Sequence, residues 1–242
     1  MKKTFDTLFQ GQLHCNQYEQ GYRFSVDAVL LAHFCRLQKS DVRVLDLCCG
    51  CGVVGLILAY RHPCVNISAV DLQPCMIELV VENVRSNGYT DRFTAINGNV
   101  GNIEQYSRPE SFDLVVCNPP YGKIAGGRHN LIEEVAIARH EIIGDLQSFV
   151  RAAAFAVKNR KKVVFVYPAA HTGMLISAMY TKRLTVKRIQ PVYSYPGLQN
   201  ARLVLVEAVK NGGEQCEVLP PFYIYSQKNG GYSPAMEAMY RE

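Results

Sequence analysis

The sequence predicts an α/β fold, a doubly wound and mostly parallel seven-stranded sheet whose final strand is antiparallel. Three observations predict it. Short β-branched runs alternate with helical periodicity through roughly residue 180. Polar residues close several of those runs, and a Pro196-Gly197 turn separates the last two. Alternation of this kind implies parallel strands joined by crossover helices. A two-residue proline–glycine turn suits a hairpin instead, which reverses the last strand.

The elements follow in order. Phe5, Leu8, Phe9 and Leu13 give the segment Met1 to Gln20 an apolar set that must pack somewhere, although its place cannot be read. Val26, Val29, Leu30, His33 or Phe34, and Leu37 recur at helical spacing, and Ser25 is placed to cap that helix. Strands are expected near 42–47, 66–71, 93–97, 112–117, 162–167, 185–193 and 202–209, with helices between the first five. Lys158, Arg160, Lys161 and Lys162 read as a solvated turn before the fifth strand. The whole chain, 1–242, is expected to be one domain, with residues 1–40 an N-terminal segment and helix and 41–242 the core.

Composition narrows the class. At 242 residues with 48% hydrophobic content, the chain can bury a sizeable core. No apolar run approaches the ~20 residues of a membrane span, so no membrane partner is expected. A net charge of +5 is a mild excess that suits an anionic partner. The nine cysteines are an odd number without a secretory signal, which points to reduced thiols and a cytoplasmic location.

In such sheets ligands sit at the carboxyl ends of the strands. The first strand, Val42 to Leu47, is followed by Gly50-Cys51-Gly52-Val53-Val54-Gly55 and an apolar helical run. This is a GxGxxG match in its required strand-to-helix setting. Gly50 and Gly52 allow a tight turn and close approach of a ligand, whereas Gly55 allows a helix to lie close on the sheet. Asp71 closes the second run and can accept hydrogen bonds from ribose hydroxyls. Two cofactors compete for this arrangement. A dinucleotide sets a pyrophosphate on the helix N-terminus; S-adenosylmethionine carries an ammonium group and a sulfonium. Asp46, just before the glycines, is badly placed beside a pyrophosphate and well placed for an ammonium, directly or through water.

The fourth run, Leu114 to Cys117, leads into Asn118-Pro119-Pro120-Tyr121. The two prolines end the ladder and hold Asn118 and Pro119 extended. Neither proline has an N–H, so the carbonyls before them face no competing local donor. An amide oxygen on Asn118 and the Pro119 carbonyl can then accept both hydrogens of a planar NH2 group. Tyr121 offers a face on which a base can stack. Catalysis is therefore expected of Asn118, Pro119 and Tyr121, by positioning and fixed dipoles.

On these residues the chain resembles a known family. Asp46 to Gly52 resembles the first motif of Rossmann-like methyltransferases, and Asp71 the acid of the next. Asn118 to Tyr121 is similar to the motif of amino-methyltransferases that act on adenine, cytosine or glutamine nitrogens. Gly21 to Leu31, Ala138 to Glu141, Leu203 to Ala208 and Leu219 to Pro221 are similar to the valine-tRNA adenine-N6-methyltransferase family. The resemblance covers nearly the whole chain. It implies S-adenosylmethionine held by Asp46, Cys48, Gly50, Gly52, Asp71, Leu72, Asn99, Val100 and Asn118, with Asn99 where relatives carry an acid. It implies a tRNA substrate, methylated on the adenine 3′ of a valine anticodon, with no metal. N5-methylation of a protein glutamine uses the same four-residue motif and stays open. An NAD-dependent oxidoreductase and a non-catalytic RNA-binding module explain the residues less well.

Substrate contacts are expected from Pro120 and Tyr121 and from the long segment Gly122 to Asp145. Its Lys123, Arg128 and Arg139 are candidates for RNA phosphates, while Leu131 to Ala138 can also be read as a helix with solvated charges. His140 is not needed as a base. Cys48, Cys49 and Cys51 have no partner pair at zinc spacing and read as small apolar loop residues. Oligomeric state cannot be read from the chain.

Overall fold

Each β-branched run becomes a strand because alternate residues find apolar cover on both faces of one sheet. The computed structural model describes residues 2–19, 24–120 and 146–241. In chain order these form β1 (Lys3–Leu8), β2 (Leu13–Tyr18), α1 (Val26–Phe34), β3 (Arg43–Leu47), α2 (Val53–Arg61), β4 (Asn66–Asp71), α3 (Pro74–Ser86), β5 (Phe93–Asn97) and β6 (Phe112–Cys117). There follow α4 (146–156), β7 (Val157–Pro168), α5 (Thr172–Thr181), β8 (Leu184–Tyr193), β9 (Leu203–Lys210), β10 (Glu217–Val218), β11 (Phe222–Tyr223) and α6 (Pro234–Ala238).

The main sheet runs β5-β4-β3-β6-β7-β9-β8, with β10 and then β11 on the outer edge of β8. All neighbours are parallel except β9, which is antiparallel to both β7 and β8. The doubly wound sheet with its reversed seventh strand is therefore as expected. Gly197, at φ +88°, occupies the turn that reverses it. The two-residue strands β10 and β11 are additional. They belong to a tail that follows the β8 edge and is interrupted by Pro220 and Pro221, which have no N–H to give.

Leu114 and Val116 of β6 pack into a core on one face, with α1, α2 and α3, while Val115 and Cys117 pack into a second core with α4 and α5 on the other. Ser25 caps α1, its Oγ accepting from the Asp27 N–H at 3.4 Å. That helix stops at Phe34, so Leu37 packs from beyond its end. Between β5 and β6 the expected helix is only a kinked 3-10 segment, Val100–Gln105, with a non-helical Asn102.

The N-terminal segment is a hairpin, β1 on β2, laid over α2 and α3. Leu8, Phe9 and Leu13 are buried, but Phe5 is exposed and stacks on His14. Asn83 of α3 ties the hairpin down, accepting from the Asn16 N–H at 2.7 Å and donating to the Asn16 carbonyl at 3.1 Å.

The basic run at 158–162 differs from the solvated turn expected of it. It starts β7 at the amino ends of the strands, opposite the carboxyl ends. Lys158 pairs with Asp113 at 2.7 Å, Lys161 with Asp41, and Lys162 donates to the Arg36 carbonyl at 2.7 Å. Asp113 also accepts from the N–H groups of Val42 and Arg43, both at 3.0 Å. Two nearly buried carboxylates need cations, and β7 supplies them.

Candidate active site

The loop from β3 to α2 makes its turn with three left-handed positions in five residues: Cys48 at φ 58°, Gly50 at 55° and Gly52 at 84°. Glycine adopts this backbone without penalty, whereas Cys48 is held there against a steric cost. Gly52 is the N-cap of α2 and brings no side-chain oxygen. Asp46 takes that role from the end of β3, its Oδ2 accepting from the Gly55 N–H at 3.0 Å. At position 55 a side chain has no room. A Cβ there would stand 2.8 Å from the Phe93 ring and 2.9 Å from Ile67.

Asp71, at the end of β4, holds the loop from the other side. Its Oδ2 accepts from the Gly50 N–H and its Oδ1 from the Gln73 N–H, both at 2.9 Å. Each oxygen has a further lone pair. Asp46 is 1% exposed, and burial pushes its carboxyl up to about 7; the Gly55 bond opposes this shift and the charge of Asp71 adds to it.

These loops border a cavity of about 620 Å³ at the carboxyl ends of the strands. Cys48, Gly50 and Asp71 line one side, and Asn118 and Pro120 another. Leu72, 63% exposed, and Val100 add apolar walls. Asn99 lines the cavity while capping the 3-10 segment, its Oδ1 accepting from the Gly101 N–H at 2.8 Å. That bond fixes the amide's orientation, so the NH2 end is the one turned away from Gly101. Beneath it, Tyr106 donates to the Asn99 carbonyl at 2.9 Å, and burial raises its phenol to about 12.

Most of the expected residues are thus brought together, and three stand apart from the lining. Asp46 lies under the loop, Gly52 lies against Val80, and Pro119 is buried. Tyr121, Lys123, Arg128 and Arg139, with His140 and the proposed helix 131–138, lie outside the described residues. Gln73, Met76, Gly101, Ser148 and Phe149 also line the cavity. The first two follow Asp71 at the start of α3, where Pro74 signals a helix N-terminus. Ser148 and Phe149 come from α4, and nothing in their local sequence marks them.

This geometry selects between the two cofactors. Carboxylates already occupy the N–H groups of Gly50 and Gly55, so the loop is negatively charged where a pyrophosphate needs donors. The Asp71 carboxylate, which lines the cavity, suits ribose hydroxyls, and the apolar walls suit a purine. The fold and the site define a Rossmann-like, S-adenosylmethionine-dependent methyltransferase.

Comparison with known proteins agrees. The family profile described as "Methyltransferase small domain" matches residues 25–143 of this chain. It is similar to a tRNA1(Val) (adenine(37)-N6)-methyltransferase of Aliivibrio salmonicida, 27% identical over 157 residues, which are 65% of this chain and 64% of that one. A protein of the same name from Shewanella baltica is 22% identical over 232 residues, covering 96% of this chain and 95% of the relative. The alignments therefore range from just under two thirds of a relative's length to nearly all of it. Among solved structures, a predicted O-methyltransferase from Agrobacterium tumefaciens shares the fold with a TM-score of 0.69 at 20% identity, over 88% of this chain and 94% of that chain. Among the described residues no helix is long and apolar enough to cross a membrane.

Proposed function

We propose that this methyltransferase transfers the methyl group of S-adenosylmethionine to the exocyclic N6 of an adenine in tRNA, the adenine 3′ of a valine anticodon. One observation carries the proposal: Asn118 and Pro120, at the carboxyl end of β6, open onto the cavity that Asp71, Leu72 and Val100 line. The names of the curated relatives support the substrate.

Bound S-adenosylmethionine supplies a methyl group activated by its sulfonium. Asp71 would accept hydrogen bonds from the ribose hydroxyls with the lone pairs that Gly50 and Gln73 leave open. Asp46 sets the loop through Gly55 and would meet the ammonium through water. Leu72 and Val100 would enclose the purine, and Asn99 would meet its edge. The N6 lone pair of adenine is delocalised into the ring, so it is a weak nucleophile. The Asn118 amide oxygen and the Pro119 carbonyl accept the two N6 hydrogens, favour a tetrahedral nitrogen and orient its lone pair. They also stabilise the positive charge that develops on nitrogen, and the proton then leaves to solvent. Tyr121, Lys123, Arg128 and Arg139 complete the proposed substrate contacts.

The test is methyl transfer from labelled S-adenosylmethionine to bulk unmodified tRNA, followed by nucleoside mass spectrometry. N6-methyladenosine is expected, and its loss in valine tRNA carrying a substituted adenine next to the anticodon locates the site. Cofactor binding without any transfer to RNA refutes the reading and points to a side-chain amide of a protein.

A further inference from the structure

The glycine loop carries Cys48, Cys49 and Cys51, and two of these lie beside cysteines from outside it. Cys51 Sγ lies 3.6 Å from Cys15 Sγ of the hairpin, and both residues are buried. Cys48 sits just past the end of β3, beside Cys117, the last residue of the neighbouring strand β6. The second pair is the one with a route to solvent. Cys48 is half-buried and lines the 620 Å³ cavity, whereas Cys117 is fully buried behind it.

The backbone permits a bond between them. Leu47 and Cys117 are in register on the adjacent parallel strands β3 and β6, so Cys48 is one residue past the partner of Cys117. Neighbouring strands lie ~4.8 Å apart, and a disulfide spans Cα separations of ~4.4–6.8 Å. Cys48 packs against the same core cluster that contains Cys117.

We propose that Cys48 and Cys117 are a hydroperoxide-oxidised pair, with Cys48 the attacked sulfur and Cys117 the resolving one, and that their disulfide closes the cofactor site. Cys48 attacks the distal oxygen of the hydroperoxide. An S–O bond forms as the O–O bond breaks, and the thiol proton leaves with the alcohol product. Cys117 then attacks the Cys48 sulfenic acid. The S–S bond forms as the S–O bond breaks, and the departing hydroxide takes the Cys117 proton as water. Two thiols lose two electrons and two protons, and the hydroperoxide is reduced to an alcohol, or to water when it is hydrogen peroxide.

The consequence follows from the neighbours of each cysteine. Gly50, two residues beyond Cys48, donates to Asp71, and Asn118 directly follows Cys117. A bond 48–117 pins the cofactor loop to the strand end that presents Asn118, on the wall of the cavity itself. Because Cys48 lines the cavity, a cofactor held there would shield it. The buried Cys15–Cys51 pair has no such opening and stays reduced. This inference rests on the cavity being the cofactor site and is independent of which acceptor is methylated.

The test uses the full chain, hydrogen peroxide, non-reducing peptide mapping, and calorimetric titration with S-adenosylhomocysteine. Expected are a Cys48–Cys117 linked peptide, loss of two of the nine thiols, and a fall in affinity of more than about tenfold that dithiothreitol reverses. Saturation with S-adenosylhomocysteine beforehand should suppress the linkage, and Cys117→Ser should abolish it. Recovery of Cys48 as a sulfinic acid, linkage of Cys15 to Cys51 instead, or unmodified thiols would overturn the proposal. So would a 48–117 linkage that leaves affinity unchanged. Mapping of the unsubstituted protein decides the matter even if the serine variant does not fold.

Discussion

Asp71→Asn is the substitution by which the site's geometry can be judged most directly. The two side chains are nearly the same size, yet Asp71 accepts from two different backbone N–H groups through its two oxygens, at 2.9 Å each. An asparagine has one oxygen. Its NH2 must face either Gly50 or Gln73, so one acceptor is lost and a donor meets a donor. An unsatisfied backbone N–H in a buried setting costs ~1–3 kcal/mol. The free protein can relax by letting the loop move toward water, which shifts the cost to cofactor binding, where the loop must return. At ~1.4 kcal/mol per decade, the affinity for S-adenosylhomocysteine should fall ~10- to 100-fold. Asp71→Ala removes both acceptors and should bind more weakly still. Titration calorimetry of both variants, with thermal melting as a folding control, measures this. If Asp71→Asn binds within about twofold of the parent, the clamp does not organise the site and the reasoning fails.

Other outcomes follow from the same structure. Gly55→Ala puts a methyl 2.8 Å from Phe93 and 2.9 Å from Ile67; overpacking of ~1–3 kcal/mol, less ~1 kcal/mol of helix propensity, should lower the melting temperature, and an unchanged or raised one contradicts the close helix–sheet packing. Asp46 has its folded pKa raised from 3.8 to about 7, so its contribution to stability is full below pH ~4 and lost as pH rises through about 7. At ~1.4 kcal/mol per pH unit this amounts to ~4 kcal/mol at most, and Asp46→Asn should gain on the parent between pH 5 and pH 8 in urea unfolding; a constant difference between the two proteins at both pH values would show that burial does not govern this acid. Leu72→Ala, at a side chain 63% exposed, should change stability by under ~0.5 kcal/mol yet weaken S-adenosylhomocysteine binding about tenfold; equal affinity in the variant removes Leu72 from the purine wall. Asn118→Ala should depress turnover on tRNA far more than cofactor affinity, and parallel losses in steady-state kinetics and calorimetry count against its role at the acceptor nitrogen.

Much of the fold was legible because strand runs and their closing polar residues are local signals. Val42 to Leu47, Asn66 to Asp71 and Phe112 to Cys117 each carry their own β-branched pattern and have a polar side chain at or next to their last residue. Gly55 was legible too, since a glycine at that spacing has one physical use and the Phe93 ring bears it out. The basic run 158–162 misled because charge suggests water. Its partners Asp41 and Asp113 come from other parts of the chain, more than 40 residues away. The hairpin 3–18 could be seen to need cover but not where, because Asn83, which anchors it, lies in a different helix.

The sequence by itself determined the order of the strands along the chain, the turn that reverses the last one, and the residue types gathered at the strand ends. Periodicity and turn chemistry act over a few residues and leave their mark there. Only the tertiary structure decided that Asp46 sits under the loop and serves Gly55, that Asp71 clamps two backbone amides, that Ser148 and Phe149 of α4 line the cavity, and that Cys48 packs against the core cluster of Cys117. Each of those depends on where crossovers bring distant segments, and on how burial reassigns a hydrogen bond or a pKa once they arrive.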